Sequence, residues 1–179
     1  MNVTVFGGST PRPGQPAYEQ AQRLGSLLAA AGHTVLTGGY TGTMEAVSRG
    51  AAEAGGHVVG ITCEEIEAWR PGGANQWVLE ERSYKTLRAR LYALVDSCDA
   101  AIALPGGIGT LAEIGVMWAQ LQTSGEVSRP LILIGAGWQE VFNVLMNSHT
   151  DYIREQDRGL LHFANDAQEA VAFLDQAAA

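Results

Sequence analysis

The sequence predicts an α/β architecture, a doubly wound parallel sheet formed by a single domain. Three observations carry this expectation. Short runs rich in β-formers and bounded by Gly or Pro alternate with helical patterns along the chain. Two of these runs, 100–104 and 131–134, are apolar throughout, as strands covered on both faces are. The 179 residues, 46% of them hydrophobic and 17% charged, suffice for one core and leave little room for a second.

Strands are expected at 2–6, 34–38, 57–62, 100–104 and 130–134, with a weaker one near 159–164. Segment 16–31 spaces Ala17, Gln20, Ala21, Leu24, Leu27 and Leu28 at helical intervals, and Gly32 follows as a C-terminal glycine should. Further helices are expected at 43–54, 84–98, 109–122, 138–148 and 166–176. Helical geometry turns Leu87, Leu91, Leu94, Val95 and Cys98 into one apolar stripe, with Ser83, Thr86, Arg90 and Ser97 along its flank. The 109–122 helix is apolar almost all round and is therefore expected to be central. Residues 63–82 read as a long loop with a short strand at 76–79, and such loops often border a site.

Composition narrows the function classes. Eleven basic against 19 acidic residues give a formal net charge of −8, which argues against binding to nucleic acid or an anionic membrane. Any anionic ligand must then be held locally. Lys85 is the single lysine, so a Gly-Lys-Ser/Thr phosphate loop is excluded and Schiff-base chemistry has one candidate. Cys63 and Cys98 lack disulfide or zinc spacing and read as free thiols in a reducing compartment. Neither a charged leader nor a long apolar stretch is evident, which predicts a cytoplasmic protein. His33, His57, His149 and His162 show no metal spacing and are assigned to surfaces or turns; no metal site or cofactor is expected. Glu64, Glu65 and Glu67 read as a solvated acidic loop, and no nucleophile elbow is present.

Three glycine-rich turns follow predicted strands: Gly7-Gly8-Ser9-Thr10, Gly38-Gly39-Tyr40-Thr41-Gly42-Thr43 and Pro105-Gly106-Gly107-Ile108-Gly109-Thr110. In a parallel sheet all three share the carboxyl edge, where helix N-termini converge. Glycine there lets backbone N–H groups approach a ligand, and the helix dipole favours an anion. An acidic chain can hold a phosphate in this way. The run Gly107-x-Gly109-x-x-Ala112 matches a dinucleotide fingerprint but follows a late strand and lacks an acidic ribose partner, so a mononucleotide or sugar phosphate fits better. Glu113, the only charge on its helix, lies about one turn from this cradle; it either acts on the ligand or is stabilised by the helix dipole. Arg90 either binds phosphate or a purine through its planar fork or pairs with a carboxylate such as Asp96 or Glu113.

With these residues in view, the chain resembles the Lonely Guy (LOG) family, also labelled lysine-decarboxylase-like. Its hallmark stands complete as Pro105-Gly106-Gly107-Ile108-Gly109-Thr110-Leu111-Ala112-Glu113, and the likeness covers about residues 2–150, including Val5-Phe6-Gly7-Gly8-Ser9 and Gly38-Gly39-Tyr40-Thr41-Gly42-Thr43-Met44. The resemblance implies a Rossmann-like homodimer or larger oligomer. For the characterised branch it implies a phosphoribohydrolase that cleaves cytokinin riboside 5′-monophosphates to free base and ribose 5-phosphate. It also implies that Arg90 acts with Glu113. The chain departs from the family pattern at Leu91, where a lysine is usual, at Ala112, where a second glutamate is common, and at Glu45, where glycine follows the Met. These departures resemble a bacterial side branch that is also similar to molybdenum-cofactor carrier proteins. The decarboxylase label has no support in a lysine context.

Two functions are expected from these residues. In the first, Gly106, Gly107, Gly109 and Thr110 hold the phosphate of a purine nucleoside 5′-monophosphate. Gly8, Ser9, Gly39, Gly42 and Met44 complete the pocket, and Glu113 with Arg90 hydrolyses the N-glycosidic bond. In the second, the same rim carries a nucleotide-like or pterin-phosphate ligand without turnover.

Overall fold

The structure, a computed structural model, describes residues 1–124 and 129–177. Seven strands form one parallel sheet: β1 (Asn2–Phe6), β2 (Thr34–Thr37), β3 (Val58–Cys63), β4 (Glu80–Tyr84), β5 (Ala100–Ala103), β6 (Leu131–Ile134) and β7 (Leu161–Ala164), in the order β4-β3-β2-β1-β5-β6-β7. The connections run outward from β1 in one direction and then resume on its other side at β5. The topological switch therefore falls between β1 and β5, where the two neighbouring crossovers diverge and leave a crevice. The expected Rossmann-like α/β class is observed.

Alternation along the strands supplies both faces. Val3, Val5, Val35, Val58, Ile102 and Ile132 meet α1 (Pro16–Ala30), α2 (Thr43–Glu53) and α8 (Ala167–Ala177), whereas Phe6, Leu36, Ile61, Ala103 and Leu133 meet α4 (Leu87–Asp96), α5 (Ile108–Ser124) and α6 (Ala136–Ser148). The short helices α3 (Glu64–Trp69) and α7 (Glu155–Arg158) complete the described elements.

Backbones of α1 and α2 touch because glycine stands at both contact points. A Cβ on Gly50 would lie 1.8 Å from the Gln22 carbonyl oxygen, and one on Gly25 would lie 2.1 Å from that of Val47. Gly50→Ala must separate these helices and is expected to destabilise the protein by about 1–3 kcal/mol. Chemical denaturation checks this, and an unchanged midpoint would contradict it.

The structure corrects several sequence expectations. Residues 63–82 are not a long loop with a strand at 76–79: they hold α3, and the strand lies later, as β4. Glu80-Glu81-Arg82-Ser83-Tyr84 pairs on one side only, with β3, so this edge strand carries charge instead of an apolar signature. Two of the three glutamates assigned to a solvated loop are tied down: Glu65 accepts from the Leu87 N–H and Glu67 from the Tyr40 hydroxyl. The helix expected at 84–98 starts at Leu87, because Tyr84 belongs to β4 and Thr86 is the N-cap, accepting from the Ala89 N–H at 3.2 Å. Leu87 leaves the apolar stripe and is exposed.

The α5 helix is not central. It covers one face of the sheet, burying Glu113, Ile114, Met117 and Leu121 while Ile108 and Leu111 remain exposed. Its uniform apolarity concealed a one-sided burial. His33 is buried rather than superficial, with its Nε2 lacking a hydrogen bond.

Candidate functional site

The three glycine turns do share one rim, because β2, β1 and β5 are adjacent and parallel. A cleft of about 320 Å³ opens there. Gly8, Ser9, Met44, Arg90, Gly107, Gly109, Thr110 and Glu113 line it, as the sequence suggested. Gly39, Gly42 and Gly106 do not. Their glycines serve close packing beneath the rim: at Gly42 (φ 78°) a Cβ would meet the Gly8 carbonyl oxygen at 2.4 Å, and at Gly106 it would meet the Thr110 hydroxyl at 2.2 Å.

One end of the cleft is formed by the open start of α5. The Leu111 N–H already bonds to the Gly107 carbonyl, so the preceding amides of Ile108, Gly109 and Thr110 form the open first turn of α5. At Gly107 and Gly109 a Cβ would meet nothing within 4 Å, so a ligand can approach the backbone there. Unpaired N–H groups at a helix N-terminus favour phosphate without any basic side chain.

The floor is ionic. Arg90, expected on a helix flank, is buried together with Glu113. Its Nε donates to the Ile61 carbonyl at 2.8 Å and its Nη2 to the Gly38 carbonyl at 3.1 Å, while Nη1 lies 3.7 Å from Glu113 Oε1. Of the partners considered from sequence, Glu113 is the one realised; Asp96 accepts from Gln120 instead. A Cβ at Gly38 would stand 2.0 Å from Arg90 Nη2, so any other residue there would displace the guanidinium from this position. Burial pushes the Glu113 carboxyl up to about 7, with Arg90 opposing the shift, and burial lowers the Arg90 guanidinium, with Glu113 opposing. Desolvation outweighs attraction for both partners. The guanidinium still keeps its charge at neutral pH, and Glu113 is poised to exchange a proton there.

Sequence reasoning missed one wall. Tyr40, Ile66, Trp69 and Arg70 also line the cleft. The Tyr40 hydroxyl accepts from the Cys63 N–H at 2.7 Å, and its ring lies under Arg90 at 5.5 Å and Arg70 at 5.7 Å. Tyr40 lay inside a glycine turn already singled out, and Arg70 precedes a Pro-Gly-Gly run in a segment expected to border the site. Those were the available signals. Among the described residues, no group of three or more His, Cys, Asp or Glu is placed to hold a metal ion, and no helix is long and apolar enough to cross a membrane.

An open helix N-terminus and a buried Arg–Glu pair beside the switch point of a parallel sheet define a Rossmann-like protein with its cleft where such sheets receive small ligands. The family model of the SLOG cluster4 family matches residues 1–157, and the chain belongs to that family, within the LOG/SLOG group. A rice (Oryza sativa subsp. japonica) protein described as a probable cytokinin riboside 5′-monophosphate phosphoribohydrolase is 37% identical over 67% of this chain and 49% of its own length, so the match spans about half of that relative. The cytokinin riboside 5′-monophosphate phosphoribohydrolase of Rhodococcoides fascians is 31% identical over 74% of this chain and 67% of its own. Among solved structures, the molybdenum cofactor binding protein of Rippkaea orientalis superposes with a TM-score of 0.76 at 25% identity, covering 99% of this chain and 97% of the other.

Proposed function

We propose that this chain is a phosphoribohydrolase that hydrolyses the N-glycosidic bond of a purine nucleoside 5′-monophosphate, releasing free base and ribose 5-phosphate. The observation that carries this reading is the Glu113–Arg90 pair on the floor of a cleft whose rim holds the open amides of α5. The 5′-phosphate sits on the open amides of Ile108, Gly109 and Thr110 beside Gly107, with Gly8 and Ser9 closing the opposite side. The anomeric carbon then lies toward Glu113. As the C–N bond lengthens, positive charge grows on the ribose and negative charge on the base. Ionised Glu113 stabilises the first and takes a proton from the attacking water; Arg90 Nη1 faces the second. Water oxygen bonds to the anomeric carbon, the C–N electron pair leaves with the base, and the proton held by Glu113 completes the neutral base.

The relatives named as phosphoribohydrolases support this reading; the likeness to the Rippkaea protein over almost the whole chain favours a second one, a carrier that binds a nucleotide-like ligand or the molybdenum cofactor without turnover. Chromatography of AMP, GMP and isopentenyladenosine monophosphate after incubation with the protein separates them. Base release that Glu113→Gln abolishes supports the hydrolase. Binding without release from any substrate supports the carrier.

We further propose that the chain works as one cytoplasmic nucleotide-binding domain assembled as a homodimer or larger oligomer. Ile108 at the cleft, with Leu111 on α5 and Val141 and Val144 on α6, leaves apolar surface that a second copy would cover.

A further inference from the structure

A second cavity of about 280 Å³ adjoins the cleft and shares two of its walls, Tyr40 and Arg70. It is built in advance. Asn75 donates from its backbone N–H to the Gly39 carbonyl at 2.7 Å and from Nδ2 to the Gly39 and Tyr40 carbonyls at 2.9 and 3.0 Å, while its Oδ1 accepts from the Trp77 N–H. These bonds hold the 71–76 segment against the second glycine turn.

Two charged side chains of opposite sign face this cavity with their polar ends largely unused. Glu45 accepts one long contact from the Tyr18 hydroxyl, at 3.4 Å. Arg70 rests over the Tyr40 and Trp69 rings, and among the described residues its guanidinium makes no ion pair or hydrogen bond. No branched aliphatic residue lines the cavity, so a prenyl chain would gain little there. The α5 cradle takes the phosphate, and the Glu45 carboxylate repels a phosphate from this end. The remaining occupant is the base.

We propose that Glu45 and Arg70 act as a matched pair that selects a guanine-type base over an adenine-type one; this rests on the reading that the cleft binds a purine 5′-monophosphate. Guanine presents O6 and N7 acceptors to a guanidinium and N1–H and N2–H donors to a carboxylate. Adenine places an N6–H donor where O6 would be and an acceptor at N1, so its edge mismatches both residues. Unmatched polar groups, rather than lost contact area, set the discrimination.

Calorimetric titration of GMP, IMP and AMP tests this on the unaltered chain and on Glu113→Gln, where turnover does not deplete the ligand. GMP is expected to bind about tenfold or more tightly than AMP, with IMP between them because it lacks the 2-amino donors. Glu45→Gln and Arg70→Lys, which nearly preserve volume and keep the fold measurable by melting, are each expected to bring the GMP-to-AMP ratio to within about threefold. AMP binding as tightly as GMP, or a ratio unmoved in both variants, overturns the pairing. A GMP preference that depends on Glu45 and Arg70 without base release sustains the pairing and removes the hydrolase reading. Release from both nucleotides at equal affinity does the reverse.

Discussion

Glu113→Gln is expected to lower kcat by about a hundredfold or more, with the nucleotide Kd changed much less. In the proposed mechanism the α5 amides that hold the phosphate are left in place, whereas the general base and the charge facing the anomeric carbon both disappear. The pH dependence supplies a sharper check. Since the carboxylate is the active form and burial holds this carboxyl up to about 7, kcat should fall as pH drops through that value. Stability runs the other way. A carboxyl raised from 4.5 in the unfolded chain to about 7 in the fold contributes stability that is fully present below pH 4.5 and lost as pH rises through 7, a swing of about 3 kcal/mol. Glu113→Gln lacks this loss, so its melting temperature should gain on that of the unaltered protein between pH 5 and pH 8. A parallel pair of melting curves would count against the buried proton.

Arg90→Ala is expected to destabilise the fold by about 3–5 kcal/mol and to abolish activity. The side chain ties the Ile61 and Gly38 carbonyls together beneath the glycine turn and is the charge nearest Glu113. Removing it leaves two buried carbonyls without these donors and a carboxylate without its partner. Arg90→Lys separates the structural from the catalytic share. A lysine keeps the charge but cannot span both carbonyls and Glu113 at once, so partial recovery of the melting temperature without recovery of kcat is expected. Activity restored by lysine would show that charge alone suffices.

The parallel α/β arrangement, the shared rim and the glycine turn at 105–110 were legible from alternating apolar runs and glycine placement; the strand order was not, since β4 carries no apolar signal. Local chemistry dictates these features: a strand buried on both faces must be apolar, and a turn that brings amides to a ligand must lack a Cβ. Periodicity left the partner of Arg90 open between Asp96 and Glu113 and gave no sign of its two carbonyl acceptors, because its three nitrogens face residues 23, 29 and 52 positions away in the chain. Three contacts of that kind exist only once α4 packs on the sheet. The wall of Tyr40, Ile66, Trp69 and Arg70 was hidden for a different reason. A six-residue helix and a charged edge strand have too little apolar periodicity to stand out from a loop.

By itself, then, the amino-acid sequence determined the α/β class, the position of the glycine turn that opens α5 and the identity of Glu113 as the carboxylate next to it, because each depends on residues close together in the chain. Tertiary structure alone decided which side chains surround that carboxylate. Burial raises its pKa, Arg90 is held beside it by distant carbonyls, and the 63–82 segment folds across the rim to bring Arg70 over Tyr40 and beside the cavity that Glu45 also faces. Desolvation and long-range contact are properties of the packed chain, and no local pattern of residues encodes them.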